Sequence, residues 1–226
     1  VRGDSQLRMP ASRMKRWWKE LTHRWLVRQF AGFLVVGQRN REYLEHYGVP
    51  AERLFPVPHC VDNEWFAARA QAARAQRAER RAGWGADERT TVALFVGKFT
   101  PKKRPLDLLR AVHEGRRRNP EARWLAALVG SGELEQELRA EAARLNVPVH
   151  FLGFKNQTEL PPVYAAADVL VLPSDGGETW GLVVNEAMAC GLPAIVSDAV
   201  GCAPDLVTPE QTGYVFPLGE VAQLAD

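Results

Sequence analysis

From Thr91 onward the chain keeps one rhythm: a short apolar run, a loop, a longer amphipathic run, another loop. The apolar runs are "TVALFVG" (91–97), "RWLAALVG" (123–130), "VHFLG" (149–153), "DVLVLPS" (168–174), "PAIVSD" (193–198) and "GYVF" (213–216). Between them stand "RPLDLLRAVHEGRRR" (104–118), "ELEQELRAEAARL" (133–145), the short "TELPPVYAAA" (158–167) and a run around Glu186. Short apolar runs bounded by turn residues are buried strands, and the longer runs are helices. Strands joined through helices run parallel, because the crossover returns the chain to the level at which it started. Such a sheet is covered on both faces, so the fold class is α/β with a Rossmann-like parallel sheet. Its ligands bind at the carboxyl ends of the strands, where the βα loops gather.

Residues 1–90 are less regular. Met14, Trp18, Leu21 and Trp25 are spaced as a helix within 9–30. "GFLVVG" (32–37) and "RLFPVP" (53–58) read as strands, and "NREYLEHYG" (40–48) as a helix closing at Gly48. Residues 1–60 thus look like the tail of a βα domain. A hinge and linker take 61–90: "HCVDNEWF" (59–66) crosses irregularly, and the Ala/Arg-rich stretch 67–82 is a solvated helix or a linker. The regular unit is 91–226. The chain opens at Val1 and ends in what looks like the start of a helix, which reads as a fragment.

Apolar residues at 46% and charged residues at 25% are globular composition. A net charge of +2 argues against a whole-molecule polyanion binder, and hence against nucleic acid. The charge is uneven, however. Residues 1–30 hold eight Lys/Arg against two acids, with Trp17, Trp18 and Trp25 among them. That segment is either the packed outer helix of the first domain or a surface for anionic lipid. No apolar run reaches the roughly 18 residues of a membrane span, and no signal peptide pattern is present. Cys60, Cys190 and Cys202 are far apart with no CxxC, and the five histidines are scattered. This pattern suits a reducing cytoplasm with neither disulfide nor metal site.

Four βα loops carry chemistry. "GKFTPKKRP" (97–105) sets Lys98, Lys102, Lys103 and Arg104 before a helix, where cations and free N–H groups suit a diphosphate. The alternative is a solvated basic turn. "GSGE" (130–133) offers Gly130 and Gly132 for close backbone approach. It lacks the third glycine of a dinucleotide fingerprint, and alone it reads as a tight turn. "GFKNQTEL" (153–160) could border a flat ring through its backbone and Lys155, or serve as a helix cap through Thr158. The fourth loop, from Asp175, leads to a helix starting near Trp180 or Gly181, whose free N–H groups face whatever sits above the sheet.

Two glutamates flank that helix start. Were both helical, the eight residues from Glu178 to Glu186 would span about 12 Å. A hydrolase pair needs carboxyls about 5–10 Å apart across one bond. The spacing instead fits contacts to two parts of one extended ligand. Against this stands a surface glutamate in a salt bridge, made uncomfortable by apolar Val183, Val184, Ala187 and Met188 beside Glu186.

These segments together resemble a known family. "ETWGLVVNEAMACGLP" looks like the E-x7-E segment of retaining glycosyltransferases of family GT4, with the GT-B fold. "VGKFTPKKRP" resembles the family's basic loop, "VGSGEL" its glycine pair, and "GLPAIVS" followed by "AVGCAPDLV" its segment around the late strand. "YGVPAERLFPVPHCVD" resembles its link between two Rossmann-like domains. The resemblance covers nearly the whole chain.

It implies a transfer of a sugar from a nucleoside diphosphate to a hydroxyl, with retention of configuration. This chain would carry the donor-binding part plus a remnant of the N-terminal, acceptor-side domain. Glu178 would lie near the donor sugar, and Glu186 would hydrogen-bond the ribose. Lys98 and Lys103 would neutralise the diphosphate, with no metal and no cofactor beyond the nucleotide sugar as co-substrate. Backbone around Gly97, Gly130, Gly132, Lys155, Trp180, Gly181 and Leu182 would line the donor. The acceptor would be a glycan or a lipid-linked hydroxyl, and the protein cytoplasmic, either free or peripheral on the inner face of a membrane. Three positions depart from the pattern. Lys98 stands for the commoner arginine and loses its fork, Arg104 stands where glycine is usual, and Cys60 stands at a hinge glycine. The acceptor-side histidine has no counterpart, and nothing in the sequence offers a carboxylate facing Glu178. Rival readings are a GT-B epimerase or phosphorylase and a non-catalytic nucleotide-binding module. No phosphopyridoxal-lysine context supports the phosphorylase.

Overall fold

The computed structural model describes residues 1–10 and 12–226. β1 (Arg2–Gly3), α1 (Arg13–Leu26), β2 (Phe33–Val35), α2 (Gln38–His46) and β3 (Leu54–Pro56) come first. Their strands pair in parallel in the order β1-β2-β3. Phe33, Val35, Tyr43, Tyr47 and Leu54 close a small core of their own. α1 starts at Arg13, where the Lys15 amide donates to Ser12 Oγ. It is therefore shorter than residues 9–30, and Ala11 within that segment lies outside the described residues. The residues whose spacing announced the helix do not face a core: Met14, Trp18, Leu21 and Trp25 are exposed.

Of the two readings of 67–82, a solvated helix or a linker, the structure has helices, α3 (Asn63–Ala73) and α4 (Arg77–Gly83), and they are packed rather than solvated. Phe66 and Ala70 sit in the main core. Arg81 is buried and donates to Asp168, to the Ala166 carbonyl and to the Thr90 carbonyl. A buried guanidinium needs such partners, and here they tie α4 to the second sheet.

The second sheet is built from β4 (Thr90–Val96), α5 (Pro105–Arg118), β5 (Arg123–Val129), α6 (Glu135–Leu145), β6 (Val149–Gly153) and α7 (Leu160–Ala166). It continues with β7 (Val169–Leu172), α8 (Leu182–Ala189), β8 (Ala194–Ser197), α9 (Ala203–Leu206), β9 (Gly213–Phe216) and α10 (Val221–Leu224). All six strands are parallel, in the order β6-β5-β4-β7-β8-β9. β4 shows why both faces are covered. Val92, Leu94 and Val96 point to a core with Phe66, Tyr164, Val184 and Ala187; Ala93 and Phe95 point to another with Leu108, Leu109, Val112 and Leu138. Alternation of side chains along a strand thus feeds two helix layers.

The chain winds outward from β4 to β6, then returns to the other side of β4 as β7. The loops after β4 and β7 consequently diverge to opposite faces. Between them opens the crevice in which doubly wound sheets hold ligands.

Candidate functional site

Lys103, in the loop after β4, and Glu178, in the loop after β7, form an ion pair across that crevice. Both side chains are largely shielded, at 17% and 15% exposure. The sequence named both residues, but not that they would meet. Lys98 lies in the same loop and is exposed. Glu178 precedes α8, whose cap is Gly181 at φ 104°. No side chain caps this helix, which leaves the N–H groups around Leu182 facing outward.

The glycines after β5 serve the first loop. A Cβ on Gly130 would strike the Gly97 carbonyl oxygen, and one on Gly132 would strike that of Phe99. The contact is sealed by Phe99 N–H to Ser131 O at 2.9 Å and Leu134 N–H to Phe99 O at 3.0 Å. The close approach expected there is made by the chain itself, so the two loops form one layer. Arg104, in place of the usual glycine, adopts φ 50° and ψ 43°. Its Nε donates to the buried Asp107 carboxylate at 2.6 Å, which compensates the strain of the left-handed backbone.

Glu186 lies in the second turn of α8 and is 9% exposed. Tyr164 Oη on α7 donates to its Oε2 at 2.7 Å. Burial pushes the Glu186 carboxyl above its ordinary range, and the Tyr164 bond draws it part of the way back. Glu186 is thus neither surface-exposed nor salt-bridged. Burial also pushes the Cys190 and Cys202 thiols up to about 12, so both are poor nucleophiles.

Other expected residues fall differently. Lys155 turns to Glu159 at 3.2 Å, and Asn156 rather than Thr158 organises the loop, accepting from Thr158 N–H at 3.0 Å. Beside Lys155, Phe154 is 74% exposed at the carboxyl edge of β6, a flat apolar group that sequence reasoning passed over. The Trp180 ring is buried, donates Nε1–H to Asn185 at 2.8 Å and packs against His59. Its side chain is a spacer between the two sheets.

The largest omission lies near the start of the chain. Residues 4–9, following β1, cross the crevice and rest on the Glu178 loop. Thr179 Oγ1 donates to the Asp4 carboxylate at 2.6 Å, and Gln6 Nε2 faces the Gly176, Glu178 and Ala199 carbonyls at 2.9, 3.1 and 3.0 Å. Arg8 and Arg39 both reach Asp198 after β8. The sequence offered no carboxylate facing Glu178 from the opposite side; the structure sets Asp4 on the neighbouring Thr179 and the Gln6 amide on the Glu178 backbone carbonyl. No signal could have found them, because the partners lie some 170 positions apart. A groove of about 850 Å3 lies elsewhere, beneath Thr91, Val169, Ile195 and Tyr214, toward the amino ends of β4 and β7.

A doubly wound sheet with a cation and a carboxylate paired at its switch point defines an α/β protein of the class that holds ligands above the strand ends. The chain belongs to the family described as glycosyl transferases group 1, which residues 76–226 match, and its fold is of the GT-B type. Over 154 residues it is 41% identical to the D-inositol 3-phosphate glycosyltransferase of Mycobacterium sp. (strain KMS), covering 66% of this chain and 34% of that protein. Over 164 residues it is 37% identical to sulfoquinovosyl transferase SQD2 of Arabidopsis thaliana, covering 71% and 29%. Sucrose-phosphate synthase from Thermosynechococcus elongatus superposes with a TM-score of 0.71 at 26% identity, over 96% of this chain and 53% of that one. HepE of Anabaena, in complex with UDP, gives 0.70 at 24%, over 88% and 54%. The chain spans less than half the length of the curated relatives it matches.

Proposed function

We propose that residues 91–226 bind the nucleotide sugar of a retaining, GT4-type glycosyltransferase, and that residues 1–60 are the tail of its acceptor-side domain. The observation that carries this reading is the Lys103–Glu178 pair at the switch point. A diphosphate entering the crevice takes Lys103 and Lys98, and the N–H groups of α8 add their partial charge. The lysines neutralise the departing diphosphate without a metal ion. Glu178, released from Lys103, turns to the donor sugar. Glu186 offers its second carboxyl oxygen to the ribose, and Phe154 stands where a flat base would need a neighbour. Rate enhancement then comes from orientation and from stabilising the leaving group, with retention at the anomeric carbon. Relatives named for sugar transfer and neighbours solved with UDP make UDP-sugars the first donors to try.

A glycan or lipid-linked hydroxyl is the acceptor. The exposed Trp17, Trp18 and Trp25, with Arg13, Lys15 and Lys19, are the groups through which an anionic inner membrane face would hold a cytoplasmic protein. Among the described residues, no helix is long and apolar enough to cross a membrane. The decisive experiment is a thermal-shift panel of UDP-, GDP- and ADP-sugars, followed by turnover of the best binder by the complete gene product. A large shift with turnover supports transfer; a shift without turnover favours a binding module; no shift with any donor overturns the reading.

A further inference from the structure

The strap of residues 4–9 does more than border the crevice. Gln6 is 2% exposed although Asp4, Leu7 and Arg8 around it are exposed. Its Nε2 carries two protons and meets three carbonyl oxygens. The reverse amide orientation would set Oε1 against all three, so the neighbours decide which way the group faces. Two of those carbonyls, of Gly176 and Glu178, belong to the loop after β7; the third, of Ala199, belongs to the loop after β8. One side chain therefore staples two βα loops. Its Oε1 is buried without a partner among the described residues, which costs stability.

From below, the same loop is held by Asp175 N–H to Lys102 O at 2.8 Å and by Gly201 N–H to Glu178 O at 2.9 Å. From above, the Arg8 carbonyl occupies the space that a Cβ on Gly176 would need. Backbone held from both sides leaves Glu178 little freedom beyond its side-chain torsions.

We propose that Gln6 is a positioning residue for Glu178: seated from the first sheet, its amide sets the Glu178 backbone at which the donor sugar is met. This rests on the glycosyl-transfer reading above. It follows that separation of the two sheets unseats the strap and leaves Glu178 misplaced, so that donor held in an open crevice is protected from reaction.

The test uses the full-length protein. Gln6→Met keeps side-chain length and removes both donors. Gly176→Ala leaves Gln6 intact and forces the strap away from the other side. Release of nucleoside diphosphate from UDP-glucose, GDP-mannose and ADP-glucose is followed, and affinity for UDP, GDP and ADP is measured by calorimetry. Each variant should lose at least tenfold in kcat with nucleoside diphosphate affinity within twofold, and the double variant should be no worse than the poorer single one. A folded variant with kcat within twofold of wild type overturns the proposal, as do losses that multiply in the double variant. Should Gln6→Met fail to fold, Gly176→Ala decides alone. Wild-type protein that turns over none of the three donors overturns the transfer reading instead. The strap is then judged by amide exchange at Gly177 and Glu178. That exchange should speed at least tenfold in Gly176→Ala, and unchanged exchange sinks the strap as well.

Discussion

If Glu186 holds the ribose as proposed, the needs of folding and of binding conflict there. The carboxyl is buried and its proton affinity is raised by that burial, partly offset by Tyr164; the Cys190 thiol, at the end of α8, is raised by burial and by this carboxylate. In the unfolded chain it returns to the ordinary carboxylate range. Between those two values the native state binds the proton more tightly, so stability falls as pH rises through the raised value. Glu186→Gln should therefore melt higher than wild type at pH 7.5 and show no such gain at pH 4. At the same time it should weaken nucleoside diphosphate binding by about 1–3 kcal/mol, since a charge-assisted bond is lost. Calorimetry showing unchanged affinity in the folded variant removes Glu186 from the ribose. Under the same proposal Lys103 presents the converse case, because the diphosphate would have to displace Glu178 from it. Lys103→Ala should weaken UDP far more than uridine, an effect that raised salt partly mimics. Glu178→Gln should tighten UDP while abolishing transfer. Equal losses for UDP and uridine in Lys103→Ala would reduce that lysine to a structural role.

Elements were legible where their signal is local. The strands after Thr91 announced themselves because a strand buried on both faces is apolar throughout, as 92–96 is. Helices α3 and α4 were legible only as a solvated helix or a linker, because Ala and Arg give no apolar stripe; what buries them is small size at Ala70 and the hydrogen bonds of Arg81. The E-x7-E spacing exposed Glu178 and Glu186, yet Tyr164 came from another helix and left no trace near either. The loop before α5 yields a further test. Arg104→Gly relieves a left-handed residue of about 1 kcal/mol, but strips a partner worth about 1–3 kcal/mol from buried Asp107. Denaturant unfolding should show the substitution destabilising on its own, and neutral or stabilising when combined with Asp107→Asn. Stabilisation by the single change would mean that the ion pair contributes nothing.

The molecule as a whole is two parallel sheets meeting at Trp180, His59 and the strap. On the proposed reading, donor recognition draws chiefly on loops of the second sheet, whereas residues 1–60 supply part of the wall that positions an acceptor. An enzyme without its positioning surface forgoes gains of about 7–11 kcal/mol. Residues 1–226 alone should accordingly bind their nucleotide sugar and release nucleoside diphosphate near the background rate. Acceptor-dependent release at ordinary enzyme rates from this chain, with a lipid or oligosaccharide pool supplied, would show that its acceptor wall is complete. The strap was beyond the reach of pattern reading for the same reason that it joins the sheets: its partners are far away in sequence.

That separation sets a clock on biosynthesis. Gln6 leaves the ribosome 172 positions ahead of Glu178 and 193 ahead of Ala199. At about 5–20 residues per second, it waits roughly 10–40 s for its seat to exist. Throughout that interval the tryptophans of α1 trail behind an unanchored segment on the nascent chain. Slow translation prolongs the delay, and a chaperone that shelters the early segment should raise the yield of folded protein more than one acting after release.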